Sequence, residues 1–151
     1  MTEPIIEASL NPPDLLQRME RYPAELKAET EQTLGKALYH VWGSVPAYPP
    51  ATPGQAYQRT GTLGRSLGTS QQGGKSGKPE IFTIKRLGST KYEARIGTRL
   101  KYAPDVIGTN TQRPQFKARN WWTMATVVER AEKGVHKLFE AMSKRLVKFL
   151  G

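Results

Sequence analysis

The feature that most constrains this 151-residue chain is a stripe of apolar residues near its carboxyl end. Met124, Val128, Ala131, Val135, Leu138, Met142, Leu146 and Phe149 recur at three- and four-residue steps, interrupted only by Gly134. That period lines them up on one side of a helix of about seven turns. Asn120 can cap its start near Trp121. Such a helix cannot stand alone, because its stripe must be covered. A second stripe of matching kind, Leu26, Thr30, Thr33, Leu34, Ala37, Leu38, Val41 and Trp42, predicts a partner helix of about five turns. Glu25, Lys27, Glu29, Glu31 and Lys36 occupy its other face. Pro23 suits the start of this helix, since the first helical position needs no N–H. Asp14 opens a shorter helical pattern before it, with Leu15, Leu16 and Met19 on one face.

The period changes between the two helices. Glu80 to Leu87 and Tyr92 to Thr98 alternate around Gly88-Ser89-Thr90, as a hairpin does. Pairing Phe82 and Ile84 with Tyr92, Ala94 and Ile96 turns an apolar face to the helices and leaves Lys85, Glu93 and Arg95 wet. Ile5 to Leu10 reads as a short edge strand that ends at Asn11-Pro12-Pro13. Tyr102 to Thr109 reads as a turn-like element. Residues 44–58 carry four prolines and predict an extended arm; residues 68–79, GTSQQGGKSGKP, predict a flexible glycine-rich loop. The expected fold is α+β: two long helices packed on a small, mainly antiparallel sheet, with extended Pro/Gly-rich loops, in a single domain over 1–151.

Charge is unevenly placed. Of the formal +10, residues 1–58 hold 4 Lys/Arg against 7 Asp/Glu, and residues 59–151 hold 19 against 6. The second part therefore suits an acidic partner, either nucleic acid or an acidic protein surface. There is no cysteine, which removes disulfides, thiolate metal sites and cysteine nucleophiles and fits a reducing cytoplasm. The opening MTEPIIEASLNPPD has no basic stretch before an apolar one, and no apolar run approaches the roughly 20 residues of a bilayer span. A soluble chain with no membrane partner is expected.

Catalysis needs a positioned group that titrates near neutrality, or paired carboxylates. The two histidines, His40 and His136, lack a dyad partner at helical spacing. Glu132 and Glu140 flank His136 by one turn each, a pattern that surface charge pairing explains more simply than a metal. Gly73-Gly74-Lys75 and Gly77-Lys78 lack the preceding strand and following helix that a phosphate loop requires. The sequence thus predicts no enzyme, no catalytic residue, no cofactor and no metal site. Between Arg59 and Arg119 there are thirteen Lys/Arg and three acids. Phe82, Tyr92, Tyr102 and Phe116 interleave with them, mostly at positions expected to be buried. Contact without sequence recognition is the mode this charge suits, so a basic, sequence-nonspecific nucleic-acid-binding domain is one reading.

Tyr57 to Leu67, YQRTGTLGRSL, is the most informative stretch. Thr60 or Thr62 can cap a one- to two-turn helix, Gly61 permits a tight start, Leu63 and Leu67 share a face, and Arg59 and Arg65 project. The segment resembles the Y-x-R-T-G-x-L-x-x-S-(I/L) signature of the tail-component and tail-completion proteins of lambda-like siphophages. The later order is similar too: Ala94-Arg95-Ile96-Gly97-Thr98 closing a hairpin, Tyr102-Ala103-Pro104, Gly108-Thr109, then a long carboxyl-terminal helix. The chain departs in having Asp105-Val106-Ile107 before its Gly-Thr and Asn120-Trp121-Trp122 before the last helix.

The resemblance implies a structural virion protein assembled in the host cytoplasm. It would sit in the neck at the head–tail junction, as a ring of copies of itself, typically six-fold, around the DNA path. Its neighbours would be the head–tail connector and the tail terminator or tail-tube protein. It makes Tyr57, Arg59, Thr60, Gly61, Leu63, Arg65 and Ser66, with Tyr102, the candidates for subunit contact and assembly. Trp121 and Trp122 join them on helix geometry: adjacent residues point about 100° apart, so one is expected to face away from its own core as an interface anchor. A basic inner surface, drawn from Lys75, Lys78, Lys85, Arg86, Arg99 and Lys101, would face the passing DNA.

Overall fold

The computed structural model describes residues 13–51, 61–88 and 91–151, with side chains from Gln17 onward. The predicted strand Ile5 to Leu10 lies outside the described residues. The elements run α1 (Pro13–Gly43), α2 (Thr62–Ser66), β1 (Leu67–Thr69), β2 (Lys75–Pro79), β3 (Ile81–Arg86), β4 (Tyr92–Gly97), α3 (Ala103–Ile107), α4 (Pro114–Ala118) and α5 (Met124–Leu150). Two long helices pack against two small antiparallel hairpins, an α+β arrangement. No helix among the described residues is long and apolar enough to cross a membrane.

α1 and α5 lie side by side and antiparallel. His40 meets Gly134, Glu29 pairs with Arg145 at 2.9 Å, and the Arg21 guanidinium lies 5.6 Å from the Phe149 ring centre. The break expected before Pro23 is absent: α1 is one helix of 31 residues with Pro23 inside it. Proline there removes one backbone bond. Contacts with α5 flank it on both sides, at Arg21 and at Glu29, and the helix continues through the defect. On α5 the buried apolar residues are Val127, Ala131 and Leu146, and Val128 is 56% exposed. The stripe's first turn therefore runs one residue earlier than the sequence pattern suggested, because Val127, one turn before Ala131, faces the core.

α5 begins at Met124 behind Thr123, whose N–H donates to the Thr126 hydroxyl at 3.3 Å. Asn120 is not its cap. It sits at φ 63° after α4, its N–H donating to Lys117 O. Asparagine tolerates that left-handed geometry, which ends a helix rather than opening one.

β3 and β4 pair from Ile81↔Gly97 to Arg86↔Tyr92, in the register the alternation predicts. Their apolar face covers a second side of α1. Phe82 packs against Tyr39 and Trp42 at ring distances of 5.6 and 5.7 Å, and Ile84 approaches the bare backbone of Gly35. The stretch 68–79, expected as a flexible loop, is instead a second hairpin in which β1 and β2 pair around a bulge. Glycines make it possible. Gly68, Gly73, Gly74 and Gly77 all take positive φ, and an alanine at Gly68 would put its Cβ 2.5 Å from the backbone of Lys78 and Pro79.

The hairpin's turn also captures the first half of the proline-rich segment. Tyr48 N–H donates to Gln71 O at 2.7 Å and Gly74 N–H to Val45 O at 3.3 Å, while Val45 and Pro49 are buried. Residues 44–51 are therefore pinned to the chain's own core through Val45 and Pro49, with Ala47, Pro50 and Ala51 exposed, instead of forming a free arm. Residues 52–58 of the expected arm lie outside the described residues. The main core cluster gathers Val45, Leu63, Leu67, Ala103, Val106, Ile107, Trp122 and Val127. It sits where α1 ends and α5 begins.

Candidate functional site

Gly61 starts α2 at φ 75°, a conformation that favours glycine, and its carbonyl accepts from Arg65 N–H at 3.0 Å. Leu63 and Leu67 are driven into the core, at 4% and 2% exposure. Gly64 is pressed so close to Thr69 O that a Cβ would lie 2.9 Å from it, and its N–H donates to the Tyr48 hydroxyl at 2.7 Å. Ser66 donates to Leu63 O, and its hydroxyl lies 2.7 Å from that of Thr98. Its carbonyl accepts from Glu80 N–H at 2.8 Å.

Glu80 extends this network. Its carboxylate accepts from Arg99 N–H at 2.7 Å and is 3.0 Å from the Thr98 hydroxyl, and Arg99 returns a side-chain bond to Glu80 O. The backbone N–H of Arg99, helped by the Thr98 hydroxyl, holds the Glu80 carboxyl below the usual carboxylate range. Gly61, Leu63, Ser66 and Arg99 are thus brought together, tying α2 to both hairpins. Arg65 stays exposed and reaches Thr62 at 3.3 Å. Tyr57, Arg59 and Thr60 lie outside the described residues.

The paired tryptophans belong to a linker rather than to a helix. Trp122 is buried and donates to Ala47 O at 3.1 Å; Trp121 is half-buried with its ring 4.9 Å from that of Tyr48. Gln112 spans the linker, donating to Val106 O and Trp121 O. Tyr102 remains 45% exposed.

The cations named for the DNA path are dispersed. Lys85 and Arg86 stand at the turn end of the β3–β4 hairpin, Arg86 folded over Tyr92 with its Nε on Gly88 O. Arg99 and Lys101 follow the opposite end, about 17 Å away at the rise of a strand. Lys78 is exposed on β2. Lys75 points elsewhere, with its ammonium 5.3 Å from the Tyr39 ring centre and 5.9 Å from that of Trp42.

That lysine opens onto a groove of about 440 Å³ floored by α1 and flanked by α5, lined by Lys36, Tyr39, His40, Ser44, Lys75 and Leu138 among others. Two glycines, Gly43 and Gly134, make room for it. A side chain at Gly134 would fall on the His40 ring. None of the lining residues is acidic. Sequence reasoning missed this groove; its one signal was the gap that Gly134 leaves in the apolar stripe.

Among the described residues no three His, Cys, Asp or Glu side chains gather closely enough to hold a metal ion, and Glu132, His136 and Glu140 are all exposed. Comparison with known protein families, with curated proteins and with solved structures finds no match to this chain.

Proposed function

We propose that this chain is a structural protein of a phage neck or tail, forming a ring of copies of itself at the head–tail junction between the connector and the tail terminator or tube. One observation carries the reading. The pieces that resemble the tail-completion signature are scattered from Gly61 to Thr109 in sequence, yet they share one core. Leu63 and Leu67 of α2 and its end, Ala103 of the Tyr-Ala-Pro step and Val127 of α5 belong to one cluster. Thr98 of the hairpin end reaches Ser66, and Thr109 of the Gly-Thr step accepts from Ala125 N–H at 3.1 Å. That shared core is what supports reading the pieces together as one module.

The buried apolar core of the described residues is also small, thirteen side chains of which six are only alanine or valine. A small core suits a subunit that gains further burial from its neighbours. The test is the assembly state of the full chain, by native mass spectrometry and electron microscopy, alone and with purified connector and tail-tube proteins, together with its presence in purified particles. Closed rings and particle association are the expected outcome. A chain that stays monomeric with those partners and is missing from particles overturns the proposal.

A further inference from the structure

A row of cations runs along the flank of α5 that borders the groove. Arg130, Gly134, Lys137, Ala141, Lys144 and Lys148 follow one another at steps of four, three, four, three and four, the spacing that keeps residues on one side of a helix. Gly134 lines the groove, which fixes the side on which the row lies. The four cations are exposed, and no ion pair among the described residues involves them. Of the acids of α5, Glu129 and Glu132 fall away from the row and Glu140 borders it, three residues after Lys137 and four before Lys144. That leaves four cations against one acid; Arg145, next to the row, is already neutralised by Glu29. Lys36 and Lys75 carry the positive surface across the groove onto α1 and β2.

We propose that this row, with the groove beside it, is a track for the phosphate backbone of nucleic acid. Its length decides the class of ligand: about 27 Å at the rise of a helix, too long for one phosphate group and equal to roughly eight base-pair steps of duplex. A membrane surface does not fit, because binding there needs a free apolar helix face and that of α5 is turned onto α1. An acidic protein partner would need an apolar anchor along the row, where the only uncharged members are Gly134 and Ala141. Ala141, between Lys137 and Lys144, lets a polyanion lie close to the helix, while the His40 ring covers Gly134. The track uses residues other than those of α2 and stands whether or not the chain forms a ring.

The test is equilibrium binding of a fluorescent 30-base-pair duplex of arbitrary sequence by the full chain, titrated over a range of salt. One variant carries Arg130→Gln, Lys137→Gln, Lys144→Gln and Lys148→Gln, exposed changes that keep helix propensity. A second carries Lys36→Gln and Lys75→Gln. A control removes three exposed charges elsewhere, with Lys27→Gln, Lys91→Gln and Lys117→Gln. Every cation withdrawn from a phosphate should lower the slope of log K against log salt by about 0.9. The row variant is therefore expected to fall by about 3 to 4 in slope, the groove variant by about 2 and the control by close to none. Circular dichroism checks that all three are folded. An unchanged slope in the row or groove variant overturns the track, and so does a fall in the control as large as that of the row variant, which marks a mere net-charge effect.

Discussion

Replacing Gly68 with alanine tests the least expected element of the fold. Gly68 lies in β1 at φ 67°, and an added Cβ would meet Lys78 C and Pro79 N of β2 at 2.5 Å. Neither is the tip of a side chain that can swing away. Gly74 and Gly77 also have positive φ, 78° and 85°, but open space surrounds them. At those two positions alanine pays only for the left-handed backbone, about 1–2 kcal/mol, offset by about 0.4–1 kcal/mol from a stiffer unfolded chain. A net loss of about 1 kcal/mol is expected at each.

Gly68→Ala adds two costs. The overlap forces β2 away, with a penalty of about 1–3 kcal/mol for overpacking. The shift also loosens the buried bond from Trp42 Nε1 to Gly68 O, 2.6 Å long, worth about 1–3 kcal/mol when a partner is orphaned. The sum is about 3–7 kcal/mol, a large share of the stability of a domain this size. Urea denaturation followed by far-ultraviolet circular dichroism reads it as a fall in midpoint at constant slope. If Gly68→Ala costs no more than Gly74→Ala or Gly77→Ala, β1 does not lie against β2 as described.

Trp42→Phe, which leaves Gly68 O without its indole donor, is expected to cost about 1–3 kcal/mol for the orphaned carbonyl alone, read by the same denaturation. Thr33→Val goes the other way: Thr33 is 1% exposed and its hydroxyl has no hydrogen-bond partner, so removing the hydroxyl should stabilise by about 1 kcal/mol, and a destabilised variant would contradict this. Glu80→Gln tests the network around Arg99. Because the folded carboxyl is held below its ordinary 4.5, its contribution is present above that pH and is lost as pH falls through the lower, folded value. The wild-type midpoint should drop more steeply between about pH 5 and 3 than that of Glu80→Gln, and parallel curves would count against the assignment.

What could be read from the sequence follows from which physical signal dominates each element. The α5 stripe and the β3–β4 hairpin were legible because burial alone sets their periods of about 3.6 and 2. The phase at Val127 was not, since adjacent valines fit a stripe equally well until a partner surface chooses between them. Pro23 and Asn120 carry two meanings each, helix start or tolerated interior, N-cap or left-handed stop, and tertiary packing decides. The β1–β2 hairpin has no apolar alternation; it is held by backbone bonds, positive-φ glycines and the Val45–Tyr48 segment. At the site, Gly61, Leu63 and Ser66 were legible as a unit because the bonds that shape α2, Arg65 to Gly61 and Ser66 to Leu63, are local, whereas the reach of Ser66 to Thr98 and Glu80 was not. The groove was not, because His40 and Gly134 meet only when α1 and α5 align.

The core cluster and the cation row occupy different parts of one scaffold, and this links stability to binding. The cluster holds the end where Val45, Trp122 and Val127 meet. Beyond it each long helix continues with its partner as main support, through contacts such as Arg145–Glu29 and Arg21 over Phe149. That far half carries Lys137, Lys144 and Lys148. Steps of seven and then four residues put neighbouring charges about 10 and about 6 Å apart, at or within one Debye length at about 0.1 M salt, so repulsion within the row is felt. The half of the helix pair outside the core cluster thus carries an excess of positive charge, which weakens it relative to a neutral pair. A polyanion laid along the row cancels that repulsion only while the helix is formed. By linkage it therefore stabilises the helix pair as it binds, and the cations that weaken the free subunit are those that would make its order respond to nucleic acid.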